Sequence, residues 1–183
     1  MIVPRTRHHM TACVDALVKV HRYDRYPVQW PADPARWLTP ANLCAAWVAL
    51  DGEAVAGHIG LSLLESRDLD PAVAESVHTP EGSVGSVNRL FVVPGARGRA
   101  IAEHLLDAAH RHAAARNRPL VLHVSDEARA AIACYEKLGW RRVASVRATW
   151  LDSTGRPALV HHYRGPDTPM PIADSAARRR TCP

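Results

Sequence analysis

Apolar residues recur at helical spacing over residues 12–21, where Ala12, Ala16, Leu17 and Val20 share one face. Asp33 followed by Pro34 is an N-cap with proline in the first helical position, which predicts a short helix. Two strand-like runs, 43–50 and 54–64, flank Asp51-Gly52-Glu53, a strong hairpin signal. The stretch 66–82 is polar, holds Pro71, Pro80 and Gly82, and reads as a loop with room for one short helical turn. Residues 84–93 read as a strand that stops at Pro94-Gly95. Helical spacing returns in Ile101, Leu105, Ala108, Ala109 and His112. The nearly continuous apolar run 119–124 then predicts a central strand covered on both faces. A further helix carries Ala128, Ala131, Ile132, Tyr135 and Leu138 on one face, with Ser125 as its expected cap and Gly139 at its end. Residues 141–150 and 158–163 predict a last pair of strands about a turn at 152–155, and segment 2–7 adds a candidate edge strand.

An antiparallel meander that leads into a β-α-β crossover predicts the α/β class, with a mixed, mostly antiparallel central sheet and helices on both faces. One domain is expected over 1–163. Residues 164–183 are rich in proline, arginine and serine and are expected to form a mobile basic tail.

Composition narrows the function classes. At 183 residues, 47% hydrophobic and 22% charged, the chain has the profile of an ordinary globular domain that needs no disulfide or metal to fold. Cys13, Cys44, Cys134 and Cys182 form no C-x-x-C pair, and no metal site is expected. The N-terminus has no apolar core of signal-peptide length, and no run reaches the roughly 18 apolar residues of a membrane span. A cytoplasmic protein with reduced thiols and no membrane partner is the expectation. Net charge is +5, of which the segment 164–183 carries +2. The remainder is too small to argue for nucleic acid on charge alone.

The run with chemistry in it is Val92-Val93-Pro94-Gly95-Ala96-Arg97-Gly98-Arg99-Ala100-Ile101-Ala102-Glu103. A strand ends, a turn of small residues follows, and a helix opens at about Arg99. The first N–H groups of such a helix lack partners and, with the helix dipole, make an anion site suited to a pyrophosphate. Arg97 and Arg99 add charge there. An ordinary strand–turn–helix corner with exposed arginines is the competing reading.

Here the sequence resembles the GNAT superfamily of acyl-CoA-dependent N-acyltransferases. Its central motif, Arg/Gln-x-x-Gly-x-Gly/Ala after Val-x-Pro, is matched by Arg97-Gly98-Arg99-Ala100-Ile101-Ala102 after Val92-Val93-Pro94. Ala131-Ile132-Ala133-Cys134-Tyr135-Glu136-Lys137-Leu138-Gly139-Trp140 is similar to a second family signature. The chain departs from the family at Ala100, which replaces a glycine, and at Ala128, which replaces an asparagine. The resemblance implies acetyl-CoA as co-substrate. Backbone groups of Leu90, Phe91 and Val92 would pair with pantetheine in the manner of an added strand. The N–H groups from Gly98 through Ala100, Ile101, Ala102 and Glu103 would surround the pyrophosphate, and Tyr135 would protonate the departing thiolate.

A protonated acceptor amine must lose a proton before it attacks. The family positions on the strand before the turn are Ser86 and Asn88, neither of them a base, so His123 on the next strand is the base candidate. The same histidine also reads as one satisfied by a neighbouring carbonyl. For the acceptor, the loop Tyr23-Asp24-Arg25-Tyr26-Pro27-Val28-Gln29-Trp30 offers Asp24 to an ammonium and Tyr26 and Trp30 to a planar group. The expected reaction is acetyl transfer from acetyl-CoA to a primary amine of a small molecule. The alternatives are another acyl donor (a longer acyl-CoA or aminoacyl-tRNA), a protein amine as acceptor, or a non-catalytic acyl-CoA-binding module. The resemblance leaves a homodimer open.

Overall fold

The structure is a computed structural model that describes residues 1–77, 83–152 and 154–167. Seven strands form one sheet: β1 (Ile2–Pro4), β2 (Leu43–Asp51), β3 (Ala54–Glu65), β4 (Ser83–Val92), β5 (Leu120–Ser125), β6 (Arg141–Leu151) and β7 (Pro157–Arg164). Their spatial order is β1-β2-β3-β4-β5-β7-β6, and every pairing is antiparallel except β4 with β5. Five helices accompany them: α1 (Met10–Asp24), α2 (Pro34–Leu38), α3 (Pro71–Val77), α4 (Ile101–Ala114) and α5 (Arg129–Lys137). This is the mixed, mostly antiparallel α/β sheet expected, with the candidate edge strand present as β1. Among the described residues no helix is long and apolar enough to cross a membrane.

Strand alternation sends successive residues to opposite faces, and the core divides accordingly. Trp47, Ala49, Leu120 and Leu122 pack with Leu105, Ala109, Ile132 and Tyr135 of α4 and α5. Val48, Val55 and Phe91 pack with Cys13, Leu17 and Val20 of α1 and with Leu38 of α2. Val84 and Val121 meet Val73 and Val77 of α3 on that second side.

The sequence reading needs two corrections. The stretch 66–82 holds a two-turn helix, α3, opened by Asp70-Pro71 with Asp70 Oδ1 accepting from Ala72 N–H at 3.0 Å. That is the same cap-then-proline signal that predicts α2, where Asp33 Oδ1 accepts from Arg36 N–H at 2.9 Å. Ser125 does not cap α5. It ends β5, and the cap position falls on Ala128, which has no side-chain oxygen to offer. On the order of the last two strands the sequence made no prediction: β7 lies between β5 and β6, the reverse of their chain order. The expected basic tail covers 164–183; Arg164 belongs to β7, and 168–183 lie outside the described residues.

Candidate active site

The site begins where the parallel pair opens. β4 and β5 pair only from Gly85↔Leu120 to Val87↔Leu122. Beyond Val87, β4 is paired to β3 alone, so its edge toward β5 is free from Asn88 to Val92. A β-bulge helps to turn it away: His58 pairs with Phe91 and Gly60 with Asn88, so that Arg89 and Leu90 oppose the single residue Ile59. Arg89 takes φ 50° there. This doubling bends the strand and opens a cleft against β5. Leu90 and Val92 turn their side chains to the α4 face and Phe91 to the α1 face. What these three residues offer the cleft is backbone.

At the end of β4 the chain passes through a tight 3₁₀ turn, Pro94–Ala96, and enters α4. Gly98 has φ 74° and Ala100, at the cap position, φ 55°. The first helical hydrogen bond is His104 N–H to Ala100 C=O at 3.1 Å. The N–H groups of Gly98, Arg99, Ala100, Ile101, Ala102 and Glu103 have no partner among the described residues, and no side chain caps the helix. A Cβ built on Gly98 would meet nothing within 4 Å. The backbone at Gly98 is therefore not packed over. Arg97 holds a two-pronged ion pair with Asp24 and lies over the Tyr23 ring, while Arg99 pairs with Asp51 at 2.6 Å. Both arginines of the turn are thus held on carboxylates, beside the row of N–H groups in sequence. Asp24, expected to meet an acceptor ammonium, meets Arg97 instead. Glu103 holds Lys137 of α5 at 2.7 Å, which braces the two helices against each other.

Below the bulge lies a buried histidine. His58, with no exposed surface, places Nδ1 2.9 Å from the Arg89 carbonyl and Nε2 3.0 Å from Arg5 Nη1. Arg5 can only donate, so Nε2 must accept and Nδ1 carries the hydrogen that is given to Arg89 C=O. Burial, with Arg5 and Arg89 beside it, pushes the imidazole down to about 4, so the ring is neutral near pH 7. Arg5 also donates to the Leu38 carbonyl at 2.8 Å and to Thr39 Oγ1 at 2.9 Å, which ties the end of α2 to the same bulge.

His123 stands on β5 directly after the last paired position, on the same face as Val121 and opposite His162 of β7, with ring centroids 6.1 Å apart. Its side chain is exposed. Desolvation, His162 and Arg89 hold its pKa below that of a free imidazole. Its neighbour in sequence register, His161, points the other way and is buried between Ser145 Oγ at 2.8 Å and Asp126 Oδ1 at 3.0 Å. Tyr135 lies on the α5 side of the sheet, buried against Trp140 and Tyr163 at centroid distances of 6.0 and 6.3 Å. Its hydroxyl has no hydrogen-bond partner among the described residues, and burial raises its pKa. Tyr26 comes within electrostatic range of both Tyr135 and Arg89 and packs edge-on against Trp37 at 5.9 Å. Trp30 packs on His21 at 5.1 Å instead, so it does not join Tyr26 in one wall.

The family model described as Acetyltransferase (GNAT) family matches residues 12–140. The chain belongs to the GNAT acetyltransferase family. The mycothiol acetyltransferase of Streptomyces avermitilis is 32% identical over 129 residues, with 57% of this chain and 42% of that protein covered. The chain spans less than half the length of that relative. Among solved structures, Arabidopsis thaliana NAA60 in complex with acetyl-CoA aligns over 90% of this chain and 96% of its own at TM-score 0.71 and 18% identity. The ribosomal-protein-S18-alanine N-acetyltransferase from Escherichia coli aligns over 96% of each chain at TM-score 0.68 and 15% identity. At these identities the likeness is one of fold.

Within this GNAT chain, sequence reasoning missed Arg5, His58 and Arg89. Each sits in an otherwise unremarkable stretch, and only the bulge and the long-range pairing bring them together. The one local trace was a histidine between Gly57 and Ile59 in an apolar strand, a polar residue that needs a buried partner. Cys13 and Cys134 carry thiol pKa values raised chiefly by burial, Cys13 to about 11, which is the behaviour of packed thiols rather than of activated nucleophiles.

Proposed function

We propose that this protein transfers an acetyl group from acetyl-CoA to a primary amine of a small molecule by direct attack on the thioester. The observation that carries the reading is the row of six N–H groups from Gly98 to Glu103 that have no partner among the described residues, directly after the strand whose edge toward β5 is free. Such a row, with a helix dipole behind it and two arginines beside it in sequence, suits a pyrophosphate. The free edge of β4 at Leu90, Phe91 and Val92 suits the amides of a pantetheine arm. NAA60, of the same fold, binds acetyl-CoA in its own structure.

In this reading the amine attacks the thioester carbonyl carbon, and the C–S bond breaks as the tetrahedral intermediate collapses. His123, neutral at pH 7, takes the proton that the amine must lose, directly or through a water. Backbone N–H groups of β4 beyond the bulge are the donors available to the oxyanion. Tyr135 keeps its proton until the thiolate leaves and is the donor that supplies it. No residue in this scheme needs a metal.

Titration calorimetry with acetyl-CoA tests the reading, on the wild type and on the Arg97→Ala, Arg99→Ala double variant. Micromolar binding that weakens at least tenfold in the double variant, followed by thiol release on addition of amines, is the expected result. An absence of binding would overturn acetyl-CoA as the donor. Ala100 and Ala128, which depart from the family pattern, would then point to a different acyl carrier. A transfer to aminoacyl acceptors or donors on tRNA would announce itself by steep loss of activity with salt.

A further inference from the structure

The acceptor side of the cleft contains a cation without a counterion. Arg89 is half-buried, with its guanidinium carbon 4.8 Å from the Trp37 ring centroid. Nε donates to the Trp37 carbonyl and Nη1 to Asn88 Oδ1 at 3.0 Å. Nη2 has no partner among the described residues, and Arg89 takes part in none of the ion pairs found among them. Arg5, the other half-buried arginine on this face, is different: neutral acceptors occupy both its terminal nitrogens.

No carboxylate of the described residues pairs with Arg89, and the aspartates of the neighbouring helices have partners of their own. Asp24 is held by Arg97, Asp33 caps α2, and Asp70 caps α3. The groups within electrostatic range of Arg89 are the cation Arg5 and Tyr26, His58 and His123, the last three each pushed by burial toward its uncharged form. The Tyr26 hydroxyl is a second donor without a partner among the described residues, and it lies within electrostatic range of Arg89. A half-buried guanidinium with a free nitrogen, a neighbouring phenol and no carboxylate of its own is complementary to a carboxylate from outside.

We propose that Arg89, with the Tyr26 hydroxyl, binds a carboxylate that the acceptor carries beside its amine, so that the acceptors are free α-amino acids and small molecules with the same amine–carboxylate pair. The inference rests on the acetyl-transfer reading and refines it. The amine must be neutral to attack, and a fixed cation close by favours that form.

Matched acceptors test it. Each of a set of L-amino acids is compared with its C-terminal amide for acetyl-CoA-dependent thiol release, in the wild type and in Arg89→Gln. A hydrogen-bonded charge pair is worth about 10–100-fold, so acids are expected to exceed amides in kcat/KM by at least tenfold. In Arg89→Gln that ratio falls to about one. A merely structural arginine would lower acids and amides together and leave the ratio in place, which would overturn the proposal. Equal rates for acids and amides in the wild type would overturn it too, while leaving acetyl transfer standing. An enzyme that releases thiol with neither series is examined by arginine modification with phenylglyoxal. Protection of Arg89 by the acids but not by the amides upholds the carboxylate site, and equal protection or none overturns it. Acetyl-CoA binding, measured separately, reports on the donor reading alone.

Discussion

The imidazole of His58 donates from Nδ1 to the Arg89 carbonyl at 2.9 Å, across 31 residues of chain. The bond matters because Arg89 is the residue of the β4 bulge with positive φ. Its carbonyl is turned out of the sheet ladder and would otherwise be a buried acceptor with no partner. His58 answers it only while Arg5 occupies Nε2, because that contact keeps the hydrogen on Nδ1. The bulge, the opening of the cleft and the placement of Arg89 are thus tied to a hydrogen-bonded chain that runs from Arg5 through His58 to the Arg89 carbonyl.

Replacing His58 separates position from charge. In His58→Leu the Arg89 carbonyl and the Arg5 guanidinium both lose a buried partner, a cost of about 1–3 kcal/mol. Thermal unfolding should fall on the order of 5 °C. His58→Asn puts an amide N–H close to the Nδ1 position and should recover most of kcat/KM, whereas His58→Leu should lose about tenfold. Equal losses in the two variants would mean that the hydrogen bond to Arg89 does not position the site.

The same histidine makes stability depend on pH. Its pKa is about 4 in the folded chain and about 6.5 when free, so the unfolded state binds more protons between those values. Stability therefore rises with pH across that window. It is fully present above about pH 6.5, and falls by up to about 3 kcal/mol as the pH drops to 4. Denaturant midpoints measured from pH 4 to 7 should show this slope in the wild type and a shallower one in His58→Asn. His110, His112, His123 and His162, also shifted down by burial, supply what slope remains.

Much of this site was legible along the chain, and what was not has a physical reason. The phosphate turn could be read because all its parts are local: Val92-Val93-Pro94 ends the strand, Gly98 supplies a positive φ, and a helix follows at once. Tyr135 could be singled out by the family signature it resembles, and His123 as a lone polar residue of an apolar strand at a position the resemblance points to. Arg89 could not, because a bulge is a mismatch between two strands, and neither strand alone encodes it. Nor could the pairing of Asp24 with Arg97, which spans 73 residues and turned an expected acceptor contact into an ion pair with the turn. The insertion of β7 between β5 and β6 is likewise a fact of packing: it sets His162 against His123 and Tyr163 against Tyr135.

Ala100 is a local strain that glycine would remove. At φ 55° its Cβ crowds the backbone, a cost of about 1–2 kcal/mol that glycine does not bear. Part of that gain is lost to the greater freedom of glycine in the unfolded chain. Ala100→Gly is expected to raise stability by about 0.5–1 kcal/mol, read from the denaturant midpoint. It should also tighten acetyl-CoA severalfold in calorimetry, since the methyl group stands among the N–H groups that face the phosphate. A destabilised variant would show that the Ala100 side chain makes packing contacts that outweigh its strain.

Tyr135 and His123 can be told apart by the shape of the pH–rate profile. A neutral His123 is needed to take the amine proton, so kcat/KM should rise with pH along a limb set by its pKa, which lies below the ordinary imidazole value of about 6.5. His123→Gln should lose that limb together with most of the rate. Tyr135 acts protonated and has its pKa raised by burial, so it contributes no limb between pH 6 and 9. Tyr135→Phe should therefore lower kcat about a hundredfold or more at every pH, leave the limb where it was, and change the affinity for acetyl-CoA little, because the phenyl ring still packs on Trp140 and Tyr163. If Tyr135→Phe instead shifts the limb and leaves the plateau intact, the thiolate takes its proton from elsewhere and Tyr135 serves the packing of α5 on the sheet.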